Sequence, residues 1–230
     1  MAPGRISGDA VRLLVFGRTV PAMFFLWLAY LQALRLISVA RLLPKPVTAA
    51  ALVNGPLPVA LYLGFCVIPV FIYVGRPLPR ARDGRLAPRA LALVGTLMVL
   101  VVGALPQGRP IYLPPSWVHG LSCGLSLLAF VVILAALLFL RRSLSIIPEA
   151  RRLVVGGPYR VIRHPLFAAE ILAMLAFALV NPTVSVVLIL APFIATQLLR
   201  SHYEEGLLMR VFPFYRAYAS HTRRLIPFVW

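Results

Sequence analysis

Six apolar runs, separated by short loops that are mostly basic or proline-rich, dominate the chain: Val20–Ala40, Ala51–Val74, Pro88–Leu105, Trp117–Leu140, Leu166–Val180 and Thr183–Leu199. A helix needs about 20 apolar residues to cross the hydrocarbon core of a bilayer. The pattern therefore predicts an all-α, polytopic integral membrane protein with about six membrane segments. The fifth and sixth runs are short, and Asn181-Pro182 between them predicts a tight helical hairpin. Pro56, Pro58 and Pro69 predict kinks or a break in the second segment. The first run is too long for a signal-peptide core and no small-residue cleavage site follows it, so it reads as a retained helix. The chain shows neither an internal repeat nor a low-complexity tract.

Composition sharpens this picture. Of the 230 residues 61% are hydrophobic and 13% charged, against about a quarter charged in a soluble domain. That excludes an ordinary soluble protein, and so much apolar residue excludes disorder. A net charge of +17 on a soluble chain would suggest nucleic acid. Here the basic residues sit in loops between apolar runs and form no face interleaved with aromatics. No nucleic-acid partner is expected, and membrane lipids are the natural counterpart.

The basic loops alternate. The N-terminal tail (with Arg5, Arg12 and Arg18), the loop Arg76–Arg89, the loop Arg141–Arg163 and the C-terminal tail hold 19 of the 23 basic residues. The three intervening loops hold 3, and Arg35, inside the first segment, is placed to snorkel to the nearer interface. Basic loops stay cytoplasmic, so both termini are expected there, with Arg141–Arg163 and the tail in one compartment. Lys45 is the sole lysine. An arginine bias of this kind fits a GC-rich bacterial genome, hence a bacterial cytoplasmic membrane.

The chain divides in character. Residues 1–140 are four membrane segments with basic loops; residues 141–230 hold four of the six acids and three of the four histidines. Cys66 and Cys123 lie in apolar runs with no metal-ligand spacing and read as core residues. His119, His202 and His221 likewise have no ligand spacing.

Three pieces of the second part carry candidate chemistry. Gly156-Gly157-Pro158-Tyr159 makes a turn, and Arg163-His164-Pro165 opens the fifth segment, where a helix start with basic neighbours favours an anion. Arg200 and Glu204-Glu205 continue the sixth segment, and one turn of helix places Arg200 and Glu204 on one face, as an ion pair or as a functional pair. Phe212-Pro213-Phe214-Tyr215, with Tyr218 and Pro227, suits either a membrane boundary or the roof of a pocket. Glu170, one turn inside the fifth segment, is an intramembrane acid and so a candidate site residue that faces a pocket or pairs with an arginine such as Arg163.

Together the three pieces resemble the C-terminal region of the isoprenylcysteine carboxyl methyltransferase family, which is itself similar to the phospholipid N-methyltransferases. The resemblance rests on Gly157-Pro158-Tyr159, Arg163-His164-Pro165-Leu166-Phe167, Arg200 with Glu204-Glu205, and Phe212 with Tyr215, Tyr218 and Pro227. It covers about residues 141–230. It implies a membrane methyltransferase using S-adenosylmethionine, with cofactor contacts at Leu153, Val154, Tyr159, His164, Pro165, Phe167 and Glu204. It links Arg200 to the substrate, and Glu170 joins Arg200 as a substrate-binding candidate. Arg200 and Glu204 are the pair expected to carry catalysis. Phe167 and Pro213 depart from the family's usual Tyr and Gly. An acid suits the cofactor's ammonium group, an aromatic face suits its sulfonium, and an arginine fork suits a substrate carboxylate. Methyl transfer needs no metal and is chiefly a positioning task.

The resemblance therefore implies a lipophilic or lipidated acceptor methylated on a carboxylate. Three other readings stand beside it: methylation of a phospholipid amine, an NADPH-dependent reductase of the sterol type in which Arg151 and Arg152 would serve the cofactor phosphate, and a non-catalytic membrane protein.

Overall fold

A computed structural model of the chain describes residues 15–48, 51–52, 55–75, 77, 79–104, 109–146 and 149–227, the side chains of 99–104 and 142 excepted. Arg5, Arg12 and Arg76, which entered the loop charges above, lie outside the described residues. The chain forms two compact units, Met1–Leu78 and Pro79–Trp230.

In the first unit a π-helical turn, Val15–Thr19, runs into α1, Val20–Arg41, which packs along α2, Pro56–Gly75. Aromatic rings lock the pair: Phe25 stacks on Tyr73 with centroids 5.9 Å apart and meets Phe65 edge-on at 6.2 Å. The expected break falls at the start of the second segment: Ala51 and Leu52 are helical, Gly55 is a turn, and α2 begins only at Pro56. Pro56 and Pro58 fall in the first turn of α2, where a missing N–H costs nothing, and α2 continues through Pro69.

The second unit begins with β1, Ala81–Arg82, and α3, Leu86–Ala104, followed by α4, Ser116–Leu140, and β2, Glu149–Ala150. It ends with α5, Pro165–Val180, α6, Val184–Val211, and α7, Tyr215–His221. Helix α4 lies along α5, and α3 along α6. Small residues line the first seam: Ala129, Ala136, Ala169 and Ala176 are buried there, and Ser122 Oγ donates to the Ala176 carbonyl at 2.6 Å. Such seams let helix backbones approach closely where burial against lipid gives no hydrophobic drive.

Each of the six apolar runs contains a helix, the second only from Pro56 onward. Among the described residues four helices have the length and composition to cross a membrane: Val15–Arg41, Pro56–Gly75, Ser116–Leu140 and Val184–Val211. The fifth is short, as its sequence suggested; its 16 residues span about 24 Å at 1.5 Å per residue. The sixth is longer than its apolar run, because the helix continues through Arg200 and the glutamates to Val211. Outward faces carry large apolar groups such as Phe71, Trp117 and Leu188, the arrangement of a lipid-facing surface.

The loops of the second unit sort to two ends. At one end Ile111 N donates to the Pro182 carbonyl at 2.7 Å, joining the loop before α4 to the α5–α6 turn. At the other, β1 and β2 pair antiparallel with Arg82 opposite Glu149, and Arg163 N and His164 N donate to the carbonyls of Arg223 and Arg224. Within the second unit, the described parts of three of the loops grouped by charge thus meet in space.

Candidate functional site

At that basic end, four elements converge on the start of α5 and the distal part of α6. His164 is half-way into helical geometry with Pro165 as the first residue of α5. Its ring lies parallel to Phe167, 9° between planes and 5.5 Å between centroids. The guanidinium of Arg200 sits over the other partner of that stack, 4.8 Å from the Phe167 centroid. Phe167, which has no ring hydroxyl, meets both neighbours through its ring.

Arg200 is held from behind as well. Its Nη1 donates to Gln197 Oε1 at 2.9 Å, and Gln197 Nε2 donates to Glu170 Oε2 at 2.6 Å. Gln197 is fully buried. The i,i+3 spacing on α6 explains the first bond; the antiparallel approach of α5 explains the second. Two of the expectations are settled here. Glu170 pairs with Gln197 and not with Arg163. Arg200 and Glu204 share a face but form no ion pair with one another.

The two adjacent glutamates have separate fates. Glu205 is buried and takes Arg163 Nε at 2.6 Å, Arg224 Nη2 at 2.6 Å and His164 Nε2 at 3.2 Å. Arg163 also donates Nη1 to the carbonyls of Ala219 and Thr222. The anion site expected at the start of α5 is therefore filled from within the chain: Arg163 and His164 are committed to Glu205. Glu204 points elsewhere. Its side chain is 37% exposed, and its Oε2 lies 3.9 Å from His164 Nδ1.

Phe167, Arg200 and Glu204 line one cleft, together with Ser145, Ile146 and Glu149. Glu149 is a member the sequence reading missed. It is buried, accepts from Ser145 Oγ at 2.8 Å and Arg151 Nη2 at 2.7 Å, and pairs with Arg82. The register of a two-residue ribbon brings these groups together, and no local pattern announces it. Gln197 was also missed, although its place one turn before Arg200 was a usable signal.

Two tyrosines brace the turn that precedes α5. Tyr218 Oη donates to the Tyr159 carbonyl at 2.5 Å, joining α7 to the turn Gly157–Arg160. Burial pushes the Tyr218 phenol up to about 12. Burial, then the charge of Glu204, raises Tyr159 well above the usual range. Both phenols thus stay protonated in the neutral range. Leu153 and Val154 are half-buried in the connection from β2 to that turn.

The free volume of the cleft is about 30 Å³, room for a water, whereas ligand pockets run to about 300–1,000 Å³. Its chemistry nevertheless suits a zwitterionic ligand with a cationic centre: one carboxylate without a hydrogen bond among the described residues, one arginine with Nε and Nη2 unspent, and an aromatic ring between.

Residues 117–213 match the family model of the phospholipid methyltransferases. The matched stretch runs from the first turn of α4 to just beyond α6, and so contains Phe167, Arg200 and Glu204 while leaving out α7 and Arg224. No curated protein matches the chain. The match and the long apolar helices support an integral membrane methyltransferase.

Proposed function

We propose that the protein is an S-adenosylmethionine-dependent methyltransferase that modifies a carboxylate on a lipophilic acceptor. The observation that carries this reading is the division of labour around the cleft. Arg200 is held by Gln197 and Phe167 with Nε and Nη2 unspent, and Glu204, one helical turn away, has no hydrogen bond to its carboxylate among the described residues. Glu204 would take the cofactor's ammonium group, and Phe167, His164, Pro165, Tyr159, Leu153 and Val154 would form the wall around it. When bound, S-adenosylmethionine supplies a methyl group made electrophilic by the attached sulfonium. The chain's own part is positioning, worth several kcal/mol when reacting atoms are held in line, up to roughly 7–11. Arg200 would fork onto the acceptor carboxylate, which needs no proton removed before it attacks. The cleft would widen to admit both ligands, with the exposed Glu204 side chain the least constrained part of its wall.

The family match favours a second reading, methylation of a phospholipid amine. That acceptor must lose a proton first. Glu149 is spent on Arg82 and Arg151, so Glu204 would be the base. The reductase reading draws no comparable support: Arg151 is buried against Glu149, and the family match is to methyltransferases. The basic end of the second unit would face the cytoplasm of a bacterial cell, with the acceptor's tail entering from the lipid.

Two experiments test this in order. Calorimetry on the purified protein compares S-adenosylhomocysteine with NADPH, with Glu204→Gln as control. Saturable S-adenosylhomocysteine binding that the variant loses supports the cofactor; NADPH binding alone refutes it. Membranes are then incubated with methyl-labelled cofactor and the product is treated with mild base. Release of labelled methanol marks a carboxyl ester, and retained label marks an N-methyl product and moves the acceptor to the amines.

A further inference from the structure

Away from the cleft, the end of α6 and the β1–α3 connection enclose a groove of about 500 Å³. We propose that this groove binds the headgroup phosphate of an anionic phospholipid, with the upper part of an acyl chain laid along Leu207 and Val211.

The groove is two-natured. Ala81, Leu207 and Val211 form an apolar wall, and Arg82, Asp83, Arg85 and Arg210 form its charged part, with Arg82 already paired to Glu149. Asp83 is buried at the base and takes Arg85 through Nε and Nη2, at 3.0 and 2.7 Å. One acid therefore cancels one arginine. Arg210 lies 3.7 Å from the same carboxylate, beyond hydrogen-bond reach, and its side chain is 60% exposed. Among the described residues neither Arg210 nor Arg85 Nη1 has a hydrogen-bond acceptor. Arg89 adds another cation, its Nε bonded to the Asp83 carbonyl. The groove thus keeps an uncancelled positive charge and unspent guanidinium donors above an apolar wall, which matches a singly charged phosphodiester on a hydrocarbon tail.

Its depth fits too. Helix α6 has 28 residues, about 42 Å at 1.5 Å per residue, which equals the roughly 40–45 Å of a bilayer with its headgroups. One end of α6 at one surface puts Arg210 among headgroups at the other. Phe214, just beyond, is 81% exposed, as befits an aromatic anchor at that level. The anionic leaflet attracts arginines at this depth, and the geometry gives that attraction one address.

The full chain in phosphatidylcholine nanodiscs, titrated with phosphatidylglycerol, tests the site through its Tm and through retained lipid in native mass spectrometry. The expected result is saturable stabilisation and one retained phosphatidylglycerol in preference to phosphatidylcholine. Arg210→Gln should raise the half-saturating fraction several-fold, Arg210→Lys should restore most of it, and Arg216→Gln, an exposed arginine on α7 outside the groove, should behave as wild type. Equal loss in Arg216→Gln would mean diffuse surface attraction and would overturn the site. So would no preference between the two lipids, or inorganic phosphate that stabilises and competes as well as the lipid. Retention by the wild type is read without any variant, so a failure of Arg210→Gln to fold leaves the comparison of lipids decisive.

Discussion

Arg163 and Glu205 stand 42 positions apart and meet at 2.6 Å through Nε and Oε1, with both side chains largely shielded from solvent. This bond ties the start of α5 to α6, and Arg163 Nη1 extends it to the carbonyls of Ala219 and Thr222, before the tail. Removing one member of a buried pair strands the other, at a cost of roughly 3–5 kcal/mol. Glu205→Ala or Arg163→Ala should therefore lower the Tm in detergent markedly. Glu204→Ala, next along the helix, should leave it nearly unchanged. Equal Tm losses at the two glutamates would refute the division between a structural and a functional acid.

The cofactor and acceptor roles separate in the same way. Glu204→Gln removes a charge from the proposed ammonium contact; a charged hydrogen bond of about 1.5–3 kcal/mol corresponds to a loss of roughly tenfold or more in S-adenosylhomocysteine affinity. Arg200→Ala should abolish methyl transfer with cofactor affinity nearly intact. Gln197→Leu should lower turnover less severely, because Arg200 loses its tether and keeps its charge. Matching losses of cofactor affinity in all three variants would end that assignment of roles.

Gly157 offers a test of the turn that precedes α5. Its φ is +59°, and a Cβ there would lie 2.5 Å from the ring of Phe139 on α4. An L-residue pays about 1–2 kcal/mol for that backbone, and a blocked ring adds to the cost. Gly157→Ala should destabilise by about 2 kcal/mol or more. Phe139→Ala in the same chain should recover the steric part, and a double-mutant cycle on Tm would measure it.

Asp83 gives the fold a dependence on acid. The hydrogen bond from Arg85 holds its carboxyl down at about 2 in the folded chain, against about 3.9 when unfolded. A depressed carboxyl stabilises fully above its unfolded value, and the contribution disappears as pH falls through the folded one. The Tm difference between wild type and Asp83→Asn should thus be constant above about pH 5 and shrink between about pH 4 and 2. A difference that does not change over that window would show that the pair contributes nothing.

Length and spacing of apolar runs, read alone, determined the membrane class, a helix within each of the six runs and the α5–α6 hairpin, because a bilayer core demands long apolar stretches whatever their partners. Loop charge likewise grouped the three basic loops that meet at one end of the second unit. Motif order singled out Phe167, Arg200 and Glu204, which the fold brings to one cleft. Tertiary structure alone decided how the polar groups share their partners. Glu204 and Glu205 are adjacent and chemically identical in sequence, yet Glu205 is buried under Arg163, Arg224 and His164 and Glu204 is partly exposed. Arg163 looked like an anion site and proved to be a strut; Glu149 and Gln197 were silent and proved to be walls and tethers. Helix rotation and close approach set these outcomes, and each depends on residues dozens of positions away. In an apolar setting every buried polar group must find a partner, and which partner it finds is a matter of packing between elements.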